Sequence, residues 1–189
     1  MTLLMHLCSR GDLEGAQRLV GSGGVDIHAH SDIAFRAACN HGHLAVAQWL
    51  FFLGGVDVHG IDDLAFRAAC FHGHLAVAQW LLGLGGVDIH AENDYAFQWA
   101  CANHHLGVAQ WLIGLGGVDI HGREDFAFRH ACENGRLVVA KWLLALDPCW
   151  AWPVKVMRTL QAWSQPRDVW MRAVVTFRGT ASRDVHCRG

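Results

Sequence analysis

No stretch of this sequence stays apolar long enough to span a membrane. The longest run, Leu44 to Leu53, is broken by Gln48 and falls short of the ~20 residues that a spanning helix needs. The opening Met1-Thr2-Leu3-Leu4-Met5 lacks the basic n-region of a secretory leader, and with Leu3 to Leu7 already in repeat register it is expected to be a first helix. There is no P-loop, no G-x-G-x-x-G turn and no nucleophile elbow, so the usual marks of nucleotide-using and acyl-transferring enzymes are missing. Basic charge is scarce over most of the length. Residues 1–147 hold 8 Lys and Arg against 15 Asp and Glu, whereas residues 148–189 hold 7 against 2. An acidic body lacks the basic face that nucleic-acid binding requires, which leaves only the tail for such a role.

Repetition is what the sequence has in place of these. Shifted by 31 residues the chain falls on itself, aligning Cys8, Cys39, Cys70, Cys101 and Cys132; Phe35, Phe66, Phe97 and Phe128; Trp49, Trp80, Trp111 and Trp142; and His28, His59, His90 and His121. A period of this size marks a solenoid, in which each unit buries its apolar face only against its neighbours. Within a unit, Asp32, Asp63, Asp94 and Asp125 stand where an N-cap is expected. Phe35, Ala38 and Cys39 then make one inward helical stripe, which stops at Asn40-His41-Gly42. A second helix from about His43 to Leu53 is apolar almost all round, as for a helix sandwiched between neighbours, with Gln48 on its wet side. Gly54-Gly55 ends it, and Val56-Asp57-Val58-His59 is expected to cross in extended form to the next Asp.

Two short antiparallel helices, a G-H-L turn at Gly42-His43-Leu44 and Gly73-His74-Leu75, and a connector such as Gly55-Val56-Asp57-Val58 resemble ankyrin repeats. The resemblance covers residues 1 to about 147 and implies an all-α, ankyrin-like solenoid of stacked helix-turn-helix repeats with short extended connectors; beyond it, the stripes Val156, Met157, Leu160, Trp163 and Val169, Trp170, Ala173, Val174, Phe177 read as a C-terminal helix pair. It implies units at 1–31, 32–62, 63–93, 94–124 and 125–147. Residues 148–179 then form a divergent helical cap, and 180–189 a tail expected to be disordered. The rival tetratricopeptide and armadillo patterns are absent. The family's T-P-L-H-x-A opening is replaced by Ile33-Ala34-Phe35-Arg36-Ala37-Ala38, so Asp32 and Arg36 inherit the capping and bracing roles. Each unit is also shorter than the family's ~33 residues, the deficit falling between Asp26 and Asp32, where the family builds its fingers. Shortened, divergent units of this kind resemble those of large DNA viruses and protists.

The reactive side chains read as scaffold. Points on stacked helix pairs lie ~8–10 Å apart, beyond the ~7 Å Cα limit for a disulfide, so the cysteine column reads as buried thiols of an intracellular protein. The same spacing keeps the Cys39/His41/His43 and Cys70/His72/His74 sets from supplying the four converging ligands of a closed zinc site. A buried cysteine is no activated nucleophile, and residues that recur in every unit are scaffold. The Trp column reads as core. No catalytic residue, cofactor, metal or small-molecule substrate is expected.

Columns that vary among otherwise similar units are those the stack does not dictate. The column after the cysteine reads Ser9, Asn40, Phe71, Ala102, Glu133; an exposed helical column reads His6, Ala37, Ala68, Trp99, His130; and the connectors read His30-Ser31, Ile61-Asp62, Glu92-Asn93, Arg123-Glu124. In ankyrin repeats the matching helix ends and loop tips line the concave binding face. The interaction centre is therefore expected across units three and four. Phe71 and Trp99 would anchor it as exposed aromatics, and Asp62, Glu92, Asn93, Arg123 and Glu124 would rim it. His104, at the turn's Gly position, implies either that Asn103 takes the left-handed conformation or that the turn changes.

The function this implies is a non-catalytic scaffold binding a protein partner, with a host protein as one candidate. A second reading is a ubiquitin-ligase adaptor, because Trp152-Pro153 with Val156, Met157 and Leu160 resembles the opening of an F-box-like segment of viral ankyrin proteins. A third has the basic tail, with Arg158, Arg167, Arg172, Arg178, Arg183 and Arg188, touching nucleic acid or an anionic surface.

Overall fold

Every unit of the period folds as a helix pair, and each pair hides its apolar stripe only by lying against the next. The computed structural model describes residues 3–146. They form α1 (Leu3–Ser9), α2 (Leu13–Gly21), α3 (Ala29–Asn40), α4 (Leu44–Leu53), α5 (Gly60–Phe71), α6 (Leu75–Gly83), α7 (Ala91–Ala102), α8 (Leu106–Leu115), α9 (Gly122–Glu133) and α10 (Leu137–Leu146). The odd-numbered helices pack on one another in a row, α1 on α3, α3 on α5, α5 on α7 and α7 on α9, and each even-numbered helix packs on the odd helix of its own unit. No strand occurs among the described residues. The expected C-terminal helix pair, cap and F-box-like segment lie outside them.

The core repeats as the sequence does. Ala34, Phe35, Ala38 and Cys39 from α3 and Val46, Ala47 and Leu50 from α4 are buried, and their counterparts follow in the later units. The tryptophans are half-buried and tie units together: Trp80 lies edge-on to Phe35 of the preceding unit at 6.2 Å, and Trp111 and Trp142 meet Phe66 and Phe97 at 6.3 and 6.5 Å. The even helices are not enclosed all round as their composition suggests. Phe52 is 78% exposed and Leu53, Leu84 and Leu115 also reach solvent, because only one side of these helices meets the odd row.

The connectors differ most from expectation. Near the start of α3, α5, α7 and α9, three successive residues break the helix with left-handed backbone: His30-Ser31-Asp32, Ile61-Asp62-Asp63, Glu92-Asn93-Asp94 and Arg123-Glu124-Asp125, all with φ between 53° and 61°. A left-handed residue other than glycine costs roughly 1–2 kcal/mol, so the turn must be held from outside. Arg36 does part of this, donating from Nη2 to the His30 carbonyl at 2.9 Å, and Arg67 does the same to Ile61 at 3.1 Å. The aspartates do the rest, and they are not N-caps. Asp32 takes a hydrogen bond from His28 Nδ1 at 2.7 Å on one oxygen and from the Asp57 backbone N–H of the next unit at 3.0 Å on the other. Asp63 and Asp94 repeat both contacts. Asp12, by contrast, caps its own helix by accepting from the Gly15 N–H at 2.8 Å.

Candidate protein-binding face

Since the buried stripe of each odd helix faces the core, the residues beside that stripe form a continuous outer surface along the row. In units two and three this surface is small or aliphatic in these columns, with Ile33 and Leu64 in one and Ala37 and Ala68 in the next. In units four and five the same columns carry Tyr95 and Phe126, and Trp99 and His130. Phe71, at the end of α5, completes the cluster.

The rings touch in sequence. Phe71 and Trp99 have centroids 5.3 Å apart, Tyr95 and Trp99 5.8 Å, Trp99 and Phe126 5.3 Å, and Phe126 and His130 4.1 Å. All five are half-buried. Phe71 and Trp99 are thus less exposed than their columns suggest, because each ring covers part of its neighbour. The Trp99 indole nitrogen is buried without a hydrogen-bond partner, an arrangement that costs about 1–3 kcal/mol. At the other end of the patch the Arg67 guanidinium lies 5.5 Å from the Tyr95 ring centre.

The connector tips rim this surface. Ile61 is 55% exposed and Asp62 is also exposed; the Ile61 carbonyl, held by Arg67, brings their tip beside Tyr95. Glu92 lies 3.6 Å from Arg123 of the next unit. Asn93 turns its carbonyl to Gln98 Nε2 at 2.6 Å, and Glu124 its carbonyl to Arg129 Nη1 at 3.2 Å. Glu133 closes the opposite end, 3.4 Å from His130 Nδ1. Asn40 stands apart from the cluster, its carbonyl accepting from His74 Nε2 at 3.1 Å. Tyr95 and Phe126 were not among the residues expected from the sequence; their column, passing from Ile33 and Leu64 to aromatic residues, is the signal that points to them.

Unit four gathers the departures. Gln98 replaces the arginine of its column, Trp99 the alanine and His104 the glycine. His104 itself takes the left-handed conformation, with φ 71°, while Asn103 stays at φ −93° and the turn is retained. Asn103 Nδ2 donates to the Phe71 carbonyl at 3.1 Å, so the turn of unit four fixes the end of α5 that carries Phe71.

The chemistry available is that of a surface. The five column cysteines are free and buried, and burial pushes the thiols up, to about 11 at Cys8 and about 12 at Cys39 and Cys132. Among the described residues no three His, Cys, Asp or Glu side chains converge as a metal would need, and no helix is long and apolar enough to cross a membrane.

Comparison with known proteins agrees with this architecture. The family of ankyrin repeats in three copies matches residues 65–149, and that of many copies matches residues 35–82. The chain is an ankyrin repeat protein. Among solved structures, the human ASB11 ankyrin repeat domain aligns with a TM-score of 0.58 at 24% identity, covering 78% of this chain and 70% of that one. No curated protein matches the sequence. Ankyrin repeats are protein–protein interaction modules, and this ankyrin chain presents their helical row with an aromatic surface on units three to five.

Proposed function

We propose that this protein is a non-catalytic scaffold that binds a protein partner on the outer surface of its odd helices, centred on Phe71 and Trp99. The carrying observation is the contiguous, half-exposed cluster of Phe71, Tyr95, Trp99, Phe126 and His130. The stack does not require the rings of units four and five, since units two and three make the same fold with Ile33, Leu64, Ala37 and Ala68 in the same columns. Large aromatics are enriched at the anchors of interfaces because they bury much area at little cost in side-chain entropy. The departures of unit four support the same reading: the orphan Trp99 N–H and the left-handed His104 both cost stability, as residues kept for function do.

The test compares the full chain with a Phe71→Ala/Trp99→Ala variant as bait in host-cell extract, with helical content checked by circular dichroism. A specific partner that is held by the wild type and lost by a folded variant is the expected result. A partner bound equally by both would reduce the aromatics to packing and sink the proposal.

A further inference from the structure

We infer that the segment seated on this face is cationic, an extended arginine- or lysine-bearing stretch of the partner with its charged groups over the ring faces and between the connector carboxylates. The inference rests on the binding reading above and adds the partner's chemistry to it.

Ring faces carry the negative lobe of the aromatic quadrupole, so a surface of contiguous half-exposed rings attracts cations at close range. The chain already shows the geometry: Arg67 reaches from unit three to place its guanidinium 5.5 Å from the centre of Tyr95 in unit four. Tyr95 is one end of the cluster, and Trp99, Phe126 and Phe71 continue beyond it.

The rim is acidic on balance, with Asp62, Glu92 and Glu124 against Arg123. Asp62, exposed on its left-handed tip, has no ion-pair partner among the described residues. Glu92 and Glu124 meet arginines only at 3.6 and 3.9 Å, with their side chains 53% and 92% exposed. Exposed pairs of that kind are worth ~0–1 kcal/mol, so both carboxylates are free to turn to a partner. Glu133 adds a carboxylate at the other end of the patch. Residues 3–146 hold 14 Asp and Glu against 8 Lys and Arg, so the long-range field also steers a cation inward. An anionic segment meets the wrong sign at ring and rim, and an uncharged proline-rich one uses the rings alone.

The experiment is fluorescence anisotropy on the full chain with labelled oligoarginine, oligoproline and oligoglutamate peptides of equal length. Saturable binding of oligoarginine, at least about tenfold tighter than of the other two, is expected. That binding should weaken about tenfold in Phe71→Ala/Trp99→Ala and again in Glu92→Lys/Glu124→Lys. The second variant is conformationally mild, because both glutamates already hold left-handed backbone without glycine, asparagine or aspartate. Oligoglutamate or oligoproline binding as tightly as oligoarginine overturns the inference. So does oligoarginine that fails to bind, or that binds without regard to Phe71 and Trp99. Should oligoarginine fail while the extract partner is still lost in the aromatic variant, the cationic chemistry falls and the binding face stands.

Discussion

Gly42 and His74 share one space: a Cβ built on Gly42 would collide with the imidazole of His74 in the next unit. The same holds for Gly11 with His43 and Gly73 with His105. In each case the ring lies over the preceding turn; His43 and His74 donate from Nε2 to the Ser9 and Asn40 carbonyls at 3.0 and 3.1 Å. The exception among the described turns obeys the rule. Where His104 replaces the glycine, the following unit has Arg136 in place of the histidine. Gly42→Ala should therefore cost about 2–4 kcal/mol, from left-handed strain at φ 77° and from the displaced ring. His74→Ala should cost about 1 kcal/mol for the lost hydrogen bond. In the double variant the clash is gone, so denaturant unfolding should show less destabilisation than the sum of the two singles. Strict additivity would mean that the glycine and the ring do not compete.

The histidine edge should also make stability fall in acid. His74 lies below the ordinary imidazole value, chiefly by burial and further by His72, His41 and His43, against the opposing pull of the Asn40 carbonyl. His105 is lowered by burial and by His74, His72 and His104, with the Phe71 carbonyl pulling the other way. A histidine whose folded pKa is below the unfolded 6.5 binds fewer protons folded than unfolded as pH drops through that window. Unfolding is then favoured as pH falls below 6.5, and stability recovers above it. Denaturant midpoints measured from about pH 7.5 to about pH 5 should fall more steeply for the wild type than for His74→Gln/His105→Gln, whose amides still donate but take no proton. Equal slopes would assign the acid sensitivity elsewhere.

The helix pairs, the buried stripe and the cysteine column were legible because they follow from residues three and four apart, and a period of 31 repeats that local pattern in register. The role of Asp32 was not. An aspartate just before a helix reads as a cap on local grounds, yet the N–H it accepts from belongs to Asp57, 25 residues away. The left-handed triplets escaped notice for a related reason: residues such as Ile61 and Glu92 have no local preference for that backbone, and Arg67, Gln98 and the next unit hold it in place. Phe71 and Trp99 stood out as aromatic in variable columns, but their contact depends on how far successive odd helices are offset, which no single unit encodes.

The thiol column offers a probe of local opening. With Cys39 and Cys132 buried and pushed up to about 12, almost no reactive thiolate exists at neutral pH. Cys8, Cys39, Cys70, Cys101 and Cys132 should stay unmodified by iodoacetamide in the native chain and react together on denaturation, as read by peptide mass spectrometry. Early labelling of one column cysteine under native conditions would mark a unit that opens by itself, as stacked repeats allow when an interface is weak.

Asp94 should be among the most sensitive positions outside the apolar core. It is 5% exposed and accepts from His90 Nδ1 at 2.7 Å and from the Asp119 N–H at 2.9 Å, joining its own unit to the next. Asp94→Ala strands two donors and leaves alanine at φ 59°, and should cost about 2–4 kcal/mol. Asp94→Asn tolerates the backbone and keeps one acceptor, so about half that loss is expected. At Asp125, whose carboxylate takes the His121 contact at 2.8 Å and is 19% exposed in its side chain, alanine should cost less. A ranking with Asp125 above Asp94 in thermal or denaturant unfolding would reject the inter-unit role.

Trp99 separates folding from binding. Trp99→Phe keeps a ring against Phe71 and Phe126 while removing the buried N–H that has no partner. The relieved polar group is worth about 1–3 kcal/mol and the lost ring area offsets much of it, so stability should stay within about 1 kcal/mol of wild type or rise slightly. Phenylalanine also offers a weaker face to a cation than tryptophan does. Oligoarginine binding should accordingly fall a few-fold while the unfolding midpoint holds or increases. Residues kept for binding at the expense of the free protein behave this way. If Trp99→Phe instead loses several kcal/mol with its ligand affinity unchanged, the indole is there to support the stack, and the aromatic face is a consequence of packing.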